Sequence, residues 1–302
     1  MDGYVVLGSA VVGLLVGLTG AGGGALMTPM LILLFSVKAS TAISSDLVAA
    51  VVMRPVGAAV HLTRRTVNLR LVGWMAVGSV PAAFLGSYVL HLIGHSAAAE
   101  DNVQRALGAA LLVGAAAMLI RRVLDRRSGQ NRLGAVRKVI VRPTWTVAIG
   151  IIGGLVVGIT SVGAGSLMIV LLMFVYPILG ANQLVGTDLT QAIPLTAAAA
   201  LGALVFGHVA LPLTASIVVG SVPAVLVGSL LSSRVPERYL RPVITFVILA
   251  SGLKYAGVGT DQLGVALLPM LGVLVGVLVV RARAKSPQPV AAPGSSLASV
   301  RD

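Results

Sequence analysis

A glycine-rich break in an apolar segment is the feature that most constrains the fold of this chain. The segment Gly13–Leu31 reads GLLVGLTGAGGGALMTPML and contains three consecutive glycines, Gly22, Gly23 and Gly24. A glycine weakens a helix interior by about 1 kcal/mol relative to alanine, and unwound backbone in hydrocarbon needs protein or water to satisfy it. The segment therefore predicts a discontinuous helix that exposes backbone to a ligand. For the earlier pair in the segment, Gly13 and Gly17, we favour close helix packing over a break.

The same segment occurs a second time, which shows that the chain is an internal duplication. The copy at 154–172 reads GLVVGITSVGAGSLMIVLL, and at an offset of 141 residues its Gly163 and Gly165 align with Gly22 and Gly24. After one inserted residue, Asp46 aligns with Asp188, and the sequence GSVPA appears at both 78–82 and 220–224. A shared pentapeptide at the offset already set by other residues is not expected by chance.

The composition is that of a membrane protein. Of 302 residues, 57% are hydrophobic and 10% charged, and the mean hydropathy is +1.00. Apolar runs of membrane-spanning length recur throughout the chain. The chain has no cysteine, which excludes disulfides and thiolate metal sites. We therefore predict an all-α polytopic membrane protein with eleven apolar segments near 4–20, 24–37, 43–63, 68–93, 104–121, 145–161, 165–179, 185–206, 211–231, 241–257 and 262–281.

The placement of charge predicts the membrane orientation and the domain boundaries. The net charge of +13 comes from basic residues in short loops, which indicates cytoplasmic loops under the positive-inside rule rather than nucleic-acid binding. Every basic cluster then falls on one side, and five segments per repeat make the two repeats inverted, as in many secondary transporters. The predicted units are a first repeat at 1–121, a basic cytoplasmic linker at 122–143, a second repeat with a final helix at 144–281, and a disordered cytoplasmic tail at 282–302.

The motif GLTGAGGGALMTPML, its weaker second copy and the two homologous halves resemble the TauE/SafE family of membrane permeases, also called sulfite exporters. The resemblance covers about residues 5–280 and is most specific over Gly20–Pro29. It implies movement of small sulfur-containing anions, such as sulfite and organosulfonates, across the bacterial cytoplasmic membrane. The chain departs from the family pattern in its thinner second motif, SVGAG, and in having Asp46 and Asp188 where members often have a small hydroxyl residue.

The two acids at matching repeat positions are the candidates for coupling transport to an ion. Asp46 and Asp188 lie near the predicted starts of apolar segments, behind the polar residues Ser44-Ser45 and Thr187. Capping of their own helices explains such residues, because free N–H groups and the helix dipole favour an acid there. Proton carriage or cation binding explains them as well. Both interpretations stay open at this point, since an inverted repeat brings such helix ends to one central site.

Arg54 is the strongest candidate for binding an anion. It lies about eleven residues into the 43–63 segment and precedes Pro55, which puts it roughly mid-membrane. A cation at that depth costs several kcal/mol unless it is paired or solvated. The equivalent position of the second repeat is occupied by the uncharged Thr196. The charge of Arg54 is therefore not needed to build the fold. A guanidinium binds sulfonate or carboxylate oxygens bidentately, and an internal salt bridge, with Asp188 in preference to Asp46, is the alternative.

The sequence thus predicts a secondary transporter that exports small anions across the bacterial inner membrane. A passive anion channel on the same scaffold is the first alternative. An integral-membrane enzyme is disfavoured because the chain has no His cluster or paired-carboxylate motif, and no cofactor, metal or nucleic acid is expected; a homodimer is compatible with the sequence. The predicted substrate-binding residues are Arg54, Gly22, Gly23, Gly24, Gly163, Gly165, Thr187, Gln191 and Thr196.

Overall fold

The computed structural model describes residues 2–19, 23–63, 67–94, 99–127, 141–162, 165–177, 179, 181–231 and 237–258. These residues form helices and contain no strand, which confirms the all-α prediction. Five of the helices are long and apolar enough to cross a membrane, namely those at 69–93, 99–121, 143–160, 183–206 and 211–231. Within the described residues there are ten helices: α1 (Gly3–Thr19), α2 (Gly24–Phe35), α3 (Ala39–Thr63), α4 (Leu69–Ile93), α5 (Ala99–Arg127), α6 (Pro143–Thr160), α7 (Ser166–Val175), α8 (Ala181–Phe206), α9 (Leu211–Leu231) and α10 (Glu237–Tyr255).

Both glycine motifs break a helix, as predicted. α1 ends at Thr19 and α2 begins at Gly24, while α6 ends at Thr160 and α7 begins after Gly165. The second arms are short: α2 has 12 residues and α7 has 10, or about 18 and 15 Å of helix, against the roughly 30 Å of a bilayer core. Neither short arm can cross a membrane by itself, so each pair forms a broken element.

The two halves interlock through equivalent glycine contacts. α1 lies along α9, and α6 lies along α4, which are exchanged partners under the duplication. A Cβ added at Gly13 would lie 2.7 Å from the carbonyl oxygen of Ser221, and a Cβ at the equivalent Gly154 would meet the carbonyl oxygen of Ser79. Only glycine lets the helix backbones approach so closely. The packing interpretation of Gly13 is therefore confirmed, whereas the opposite membrane orientation of the halves stays a prediction.

Several helices extend beyond the predicted segments. α3 and α8 begin four residues earlier than predicted, at Ala39 and Ala181, and α5 runs from Ala99 to Arg127 and so includes the start of the predicted linker. The first N–H of α3 donates to the carboxylate of Glu100, at the start of α5, which lets the helix begin in polar sequence. The final segment at 262–281, the tail and most of the linker lie outside the described residues.

The outer faces of the helices are apolar, as a lipid environment requires. Large apolar side chains such as Leu7, Leu85, Leu201 and Leu230 are more than half exposed. The interior is apolar too, with Met27, Leu47, Met75 and Met168 fully or almost fully buried. Helices that are apolar on all sides are typical of membrane bundles. The polar side chains buried inside such a bundle are the informative ones.

Candidate substrate-binding site

Asp46 binds both broken helices through its carboxylate. It is the eighth residue of α3 and is 1% exposed. Thr28 of α2 donates its hydroxyl to Asp46 Oδ2 at 2.9 Å, and Ser161, directly after α6, donates to the same oxygen at 2.8 Å. Hydrogen bonds to an ionised acceptor are stronger than neutral ones. Asp46 thus joins an element of the first half to an element of the second.

The two glycine breaks meet at this same point. A Cβ added at Gly24 would overlap the backbone carbonyl of Ser161, so the start of α2 touches the end of α6. This contact brings the two broken elements close together. Gly23 occupies a turn before α2, and Gly165 adopts a φ of 106°, a conformation that L side chains rarely adopt. Gly22 and Gly163 lie outside the described residues.

Asp188 has the equivalent position in α8 but different partners. It is 1% exposed, and its carboxylate faces the backbone N–H of Gly165, immediately before α7. Free N–H groups and the helix dipole make that end of α7 favourable for an anion. Among the described residues, the Oδ1 atom of Asp188 is buried without a hydrogen-bond partner. Asp188 therefore carries an oxygen that can still accept a hydrogen bond.

The expectation that these acids cap their own helices is wrong. α3 begins at Ala39 and α8 at Ala181, so Asp46 and Asp188 are each about two turns inside, where the backbone N–H groups bond within the helix. The acids act instead on other elements, Asp46 on the hydroxyls of Thr28 and Ser161 and Asp188 on the N-terminal end of α7. The sequence misled because the polar residues before each acid continue the helix rather than begin it.

Arg54 is buried and lies within electrostatic range of both acids. It is 8% exposed, and Asp46 precedes it by eight residues on the same helix, which is about 12 Å of rise. Pro55, the next residue, is part of α3 and leaves one carbonyl of that helix without its usual N–H donor. The structure thus brings Arg54, Asp46 and Asp188 into one cluster.

Gln191 lies one turn beyond Asp188 on α8 and is fully buried. Its Nε2 donates to the hydroxyl of Ser79, while its Oε1 has no partner among the described residues. The two ends of an amide are assigned from the hydrogen-bond network, so whichever way the amide is turned, one polar atom remains unpartnered. Gln191 therefore offers a further polar contact on the same side of α8 as Asp188.

The two predicted threonines carry structural hydrogen bonds. Thr187 accepts a hydrogen bond from the backbone N–H of Asn68, just before α4, at 3.1 Å. Thr196 donates its hydroxyl to the carbonyl of Ala192 in its own helix at 2.7 Å. Such back-bonding satisfies a buried threonine without any ligand. Whether either side chain also contacts a substrate stays a prediction.

Thr28 and Ser161 were missed by the sequence reasoning, although both bind Asp46. Thr28 is the polar residue of the otherwise apolar α2, and that contrast is a signal that could have found it. Ser161 adopts a left-handed backbone conformation with a φ of 58° at the end of α6. Its position beside the second glycine motif is the corresponding signal, but its partner lies more than a hundred residues away and could not be read from spacing.

The geometry agrees with what comparison to known proteins shows. Residues 5–255 match the family described as Sulfite exporter TauE/SafE. The chain belongs to this family. It is 38% identical over 255 residues to the probable membrane transporter protein YjnA of Bacillus subtilis strain 168, covering 84% of this chain and 99% of that protein.

A second relative supports the same assignment. The probable membrane transporter protein YdhB of the same organism is 24% identical over 253 residues, covering 82% of this chain and 98% of YdhB. No solved structure matches the chain. The TauE/SafE chain is thus a multi-pass membrane transporter, and the buried polar cluster of Arg54, Asp46 and Asp188 is its candidate substrate-binding site.

Proposed function

We propose that this protein is a secondary transporter that exports small anions across the bacterial inner membrane, and that Arg54 binds the anion. The substrates would be sulfite, organosulfonates or related carboxylates, and a proton or cation gradient would drive transport. The observation that carries the proposal is a guanidinium, 8% exposed, inside a bundle of apolar helices. A charge in such a place is expensive and marks an ion pathway by default.

The surroundings of Arg54 support an anion as its ligand. The start of α7 lies beside Asp188, which Arg54 also faces, so its free N–H groups add positive potential to the same region. A planar guanidinium with nearby backbone donors suits the several oxygens of a sulfonate, sulfite or carboxylate. We propose that the anion is contacted by Arg54, by backbone at Gly22, Gly23, Gly24, Gly163 and Gly165, and by the side chains of Thr187, Gln191 and Thr196.

Anion binding to the purified protein tests the role of Arg54. Sulfite, an alkanesulfonate and a small carboxylate are titrated against wild type, Arg54→Lys and Arg54→Met. Lysine keeps the charge but loses the planar fork, so we expect the dissociation constant to rise about tenfold or more, since a charged hydrogen bond contributes about 1.5–3 kcal/mol. Methionine should abolish specific binding. Arg105→Met removes the same charge from an exposed position of α5 and is the matched control.

Flux measurements separate a transporter from a channel. Protein in vesicles is given an imposed proton gradient and equal anion concentrations on both sides. A secondary transporter builds an anion gradient, whereas a passive channel only equilibrates. Wild-type affinity in Arg54→Met would contradict the proposed site, and dissipation without accumulation would favour the channel. A homodimer in the membrane also stays a prediction, to be tested by the mass of the detergent-solubilised protein.

A further inference from the structure

Two oxygen atoms on α8 are buried without a hydrogen-bond partner among the described residues. They are Oδ1 of Asp188, which is 1% exposed, and Oε1 of Gln191, which is fully buried. A buried acceptor without a donor costs about 1–3 kcal/mol, and more if it carries charge. Two such atoms within a bundle of apolar helices indicate a site for a group of positive charge.

Both atoms lie on one side of α8. Asp188 and Gln191 are three residues apart in this helix, which makes them neighbours with about 5–6 Å between their Cβ atoms. The other end of the Gln191 amide is held by α4, because its Nε2 donates to the hydroxyl of Ser79 at 2.5 Å. The free end of the amide is therefore its oxygen. An amide oxygen and an ionised carboxylate accept hydrogen bonds and cannot donate them.

The first half of the chain surrounds its acid in the opposite way. Asp46 accepts hydrogen bonds from the hydroxyls of Thr28 and Ser161. The positions equivalent to these two donors in the other repeat hold Ile169 and Gly20, which have no hydroxyl. Beside its own acid the second half has an amide carbonyl, which is another acceptor. The second copy thus lacks the donors that satisfy a carboxylate and has gained a further oxygen.

The chemistry of these oxygens identifies the class of ligand. Carboxylate, amide carbonyl and hydroxyl oxygens are the ligands of hard cations. Asp188 supplies the one negative charge among Asp188, Gln191 and Ser79, which balances the charge of a monovalent cation. Proton relays inside membranes are chains of Asp, Glu and His, whereas the amide of Gln191 can neither take up nor release a proton. The ligand set therefore favours Na⁺ over a proton.

We infer that Asp188 Oδ1 and Gln191 Oε1 bind Na⁺, and that Na⁺ is the coupling ion of anion export. The inference rests on the proposed function and names the cation whose gradient drives it. Arg54, the proposed anion-binding residue, belongs to a different helix, α3. The cation and the anion thus have separate principal ligands.

The amide of Gln191 makes occupancy by the two ions exclusive. With Nε2 bonded to Ser79, the amide presents an oxygen, which suits Na⁺ and repels an anion. Turned over, the amide presents its N–H groups, which suit the anion that Gln191 is proposed to contact. The hydroxyl of Ser79 both donates and accepts, so it can bond to either end. Na⁺ and the anion therefore require opposite orientations of one side chain and alternate with each other, as export driven by an entering cation requires.

Binding of Na⁺ in the absence of a substrate anion tests the cation site. Radioactive Na⁺ is titrated against purified wild type, Asp188→Asn and Gln191→Ala, with choline replacing Na⁺ at constant ionic strength. We expect saturable binding to wild type and none to Asp188→Asn. Gln191→Ala should bind Na⁺ about tenfold or more weakly, since even outer-shell contacts contribute about 10–100-fold to metal affinity. Asp101→Asn and Gln104→Ala remove the same groups from α5 and should bind as wild type does.

Competition between Na⁺ and ethanesulfonate tests the exchange. In wild type, Na⁺ should raise the apparent dissociation constant of ethanesulfonate, which is added as its choline salt. In Gln191→Ala this effect should be lost, even at Na⁺ concentrations that fill the weakened site. An anion affinity that Na⁺ leaves unchanged or strengthens in wild type would overturn the exchange. The wild-type titrations do not depend on a variant that could misfold.

The cation site and the anion site fail in different ways. Wild type that binds no Na⁺, or Asp188→Asn that binds it as tightly as wild type, would overturn the cation site. Loss of ethanesulfonate binding in Arg54→Met would still support the proposed function in that case. Ethanesulfonate bound equally by wild type and Arg54→Met would overturn the proposed function, and with it the role of Na⁺ in anion export.

Discussion

The two halves of this transporter place an aspartate at the same repeat position and surround it differently. In the first half, Asp46 is bound by two hydroxyls from Thr28 and Ser161. In the second half, Asp188 has one backbone donor, an unpartnered oxygen and the guanidinium of Arg54 nearby. One acid joins the two halves, and the other lies within electrostatic range of Arg54, the proposed anion-binding residue. Duplication gave the protein two similar sites, of which one is structural and one is chemically open.

The residues next to the acids show which features both halves share. Ser45 accepts a hydrogen bond from the backbone N–H of Ala210, and Thr187 accepts one from Asn68, and these two bonds are equivalent under the duplication. They attach the third helix of one half to the fourth helix of the other. Interlocking of the halves depends on such bonds and on the glycine contacts, so both copies retain them.

The differences are concentrated on side chains that reach the cluster. In the alignment of the two repeats, Arg54 is equivalent to Thr196, Gln191 to Ala49, and Thr28 to Ile169. The first half contributes the cation and one hydroxyl that holds Asp46, and the second half contributes the amide and the hydroxyl of Ser161. A transporter whose two copies were chemically equal would carry these groups twice. The divergence lies in the site, while the scaffold stays common to both copies.

The largest effect is expected from removing the charge of Arg54, which lies within electrostatic range of Asp188. If the two side chains form a buried ion pair, removal of one member costs about 3–5 kcal/mol. We expect Arg54→Met to lower the thermal stability of the purified protein and the additional change Asp188→Asn to restore much of it. Anion binding should stay absent in the double variant, because the guanidinium is gone.

Asp46 supplies the matched comparison for this pair. The same cycle with Asp46→Asn should recover less stability, since Asp46 lies about 12 Å from Arg54 along the same helix. A double variant that is rescued in stability and binds anions with wild-type affinity would refute the substrate role of Arg54. Equal rescue through Asp46 and Asp188 would remove the distinction between the two acids.

A smaller but still substantial effect is expected where the halves cross. A Cβ at Gly24 would overlap the carbonyl of Ser161, so Gly24→Ala must separate α2 from α6 and disturb the hydroxyl that binds Asp46. Overpacking of this kind costs about 1–3 kcal/mol and occasionally more. Gly73→Ala is the control, because a Cβ at that helical glycine would meet no described atom within 4 Å beyond the backbone of its own helix and its chain neighbours. The control should be neutral or slightly stabilising.

Thermal unfolding in detergent measures both variants. The comparison fails if Gly24→Ala and Gly73→Ala unfold at the same temperature. In that case the contact between Gly24 and Ser161 would not stabilise the packing of the two halves. The stability data would then give no support for a structural role of Asp46.

The sequence predicted the scaffold well because its signals are local or repeated. Glycine runs in apolar sequence indicated the breaks before α2 and α7, and the duplication indicated which elements are equivalent. Arg54 and Asp188 were singled out because charge is rare in this chain, and the structure brings them together. These inferences needed only the composition of the chain, the offset between its two repeats and the positions of its rare charged residues.

The partners of each acid could not be predicted, because they depend on contacts across the duplication. The bond from Ser161 to Asp46 joins positions in different halves, and no spacing rule reaches it. The starts of α3 and α8 were placed too late, since Glu100 binds the first N–H of α3 from a distant part of the chain. A polar helix start without a visible cap looks like a loop until its partner is known.

The smallest expected effects separate a hydroxyl that holds the scaffold from one that is proposed to contact substrate. Thr28→Val removes one of the two hydroxyl donors of Asp46 and should cost about 0.5–1.5 kcal/mol, the net range for one hydrogen bond, because Ser161 still donates to the same oxygen. Anion affinity should change little, because Thr28 acts on the structural acid. Thr196→Val removes a hydroxyl whose described bonds are to carbonyls of its own helix, so stability should change by about 0.5 kcal/mol or less.

Anion titration of the same two variants completes the comparison. If Thr196 contacts the anion, as proposed, its valine variant should lose affinity by about fivefold, which corresponds to one neutral hydrogen bond of about 1 kcal/mol. We expect Thr28→Val to lose stability and Thr196→Val to lose anion affinity. That result would support a structural role for Thr28 and a substrate-binding role for Thr196. Unchanged affinity in Thr196→Val would instead leave that threonine with only its bonds to the carbonyls of Ala192 and Ile193, and the anion path would then depend on Arg54 and Gln191.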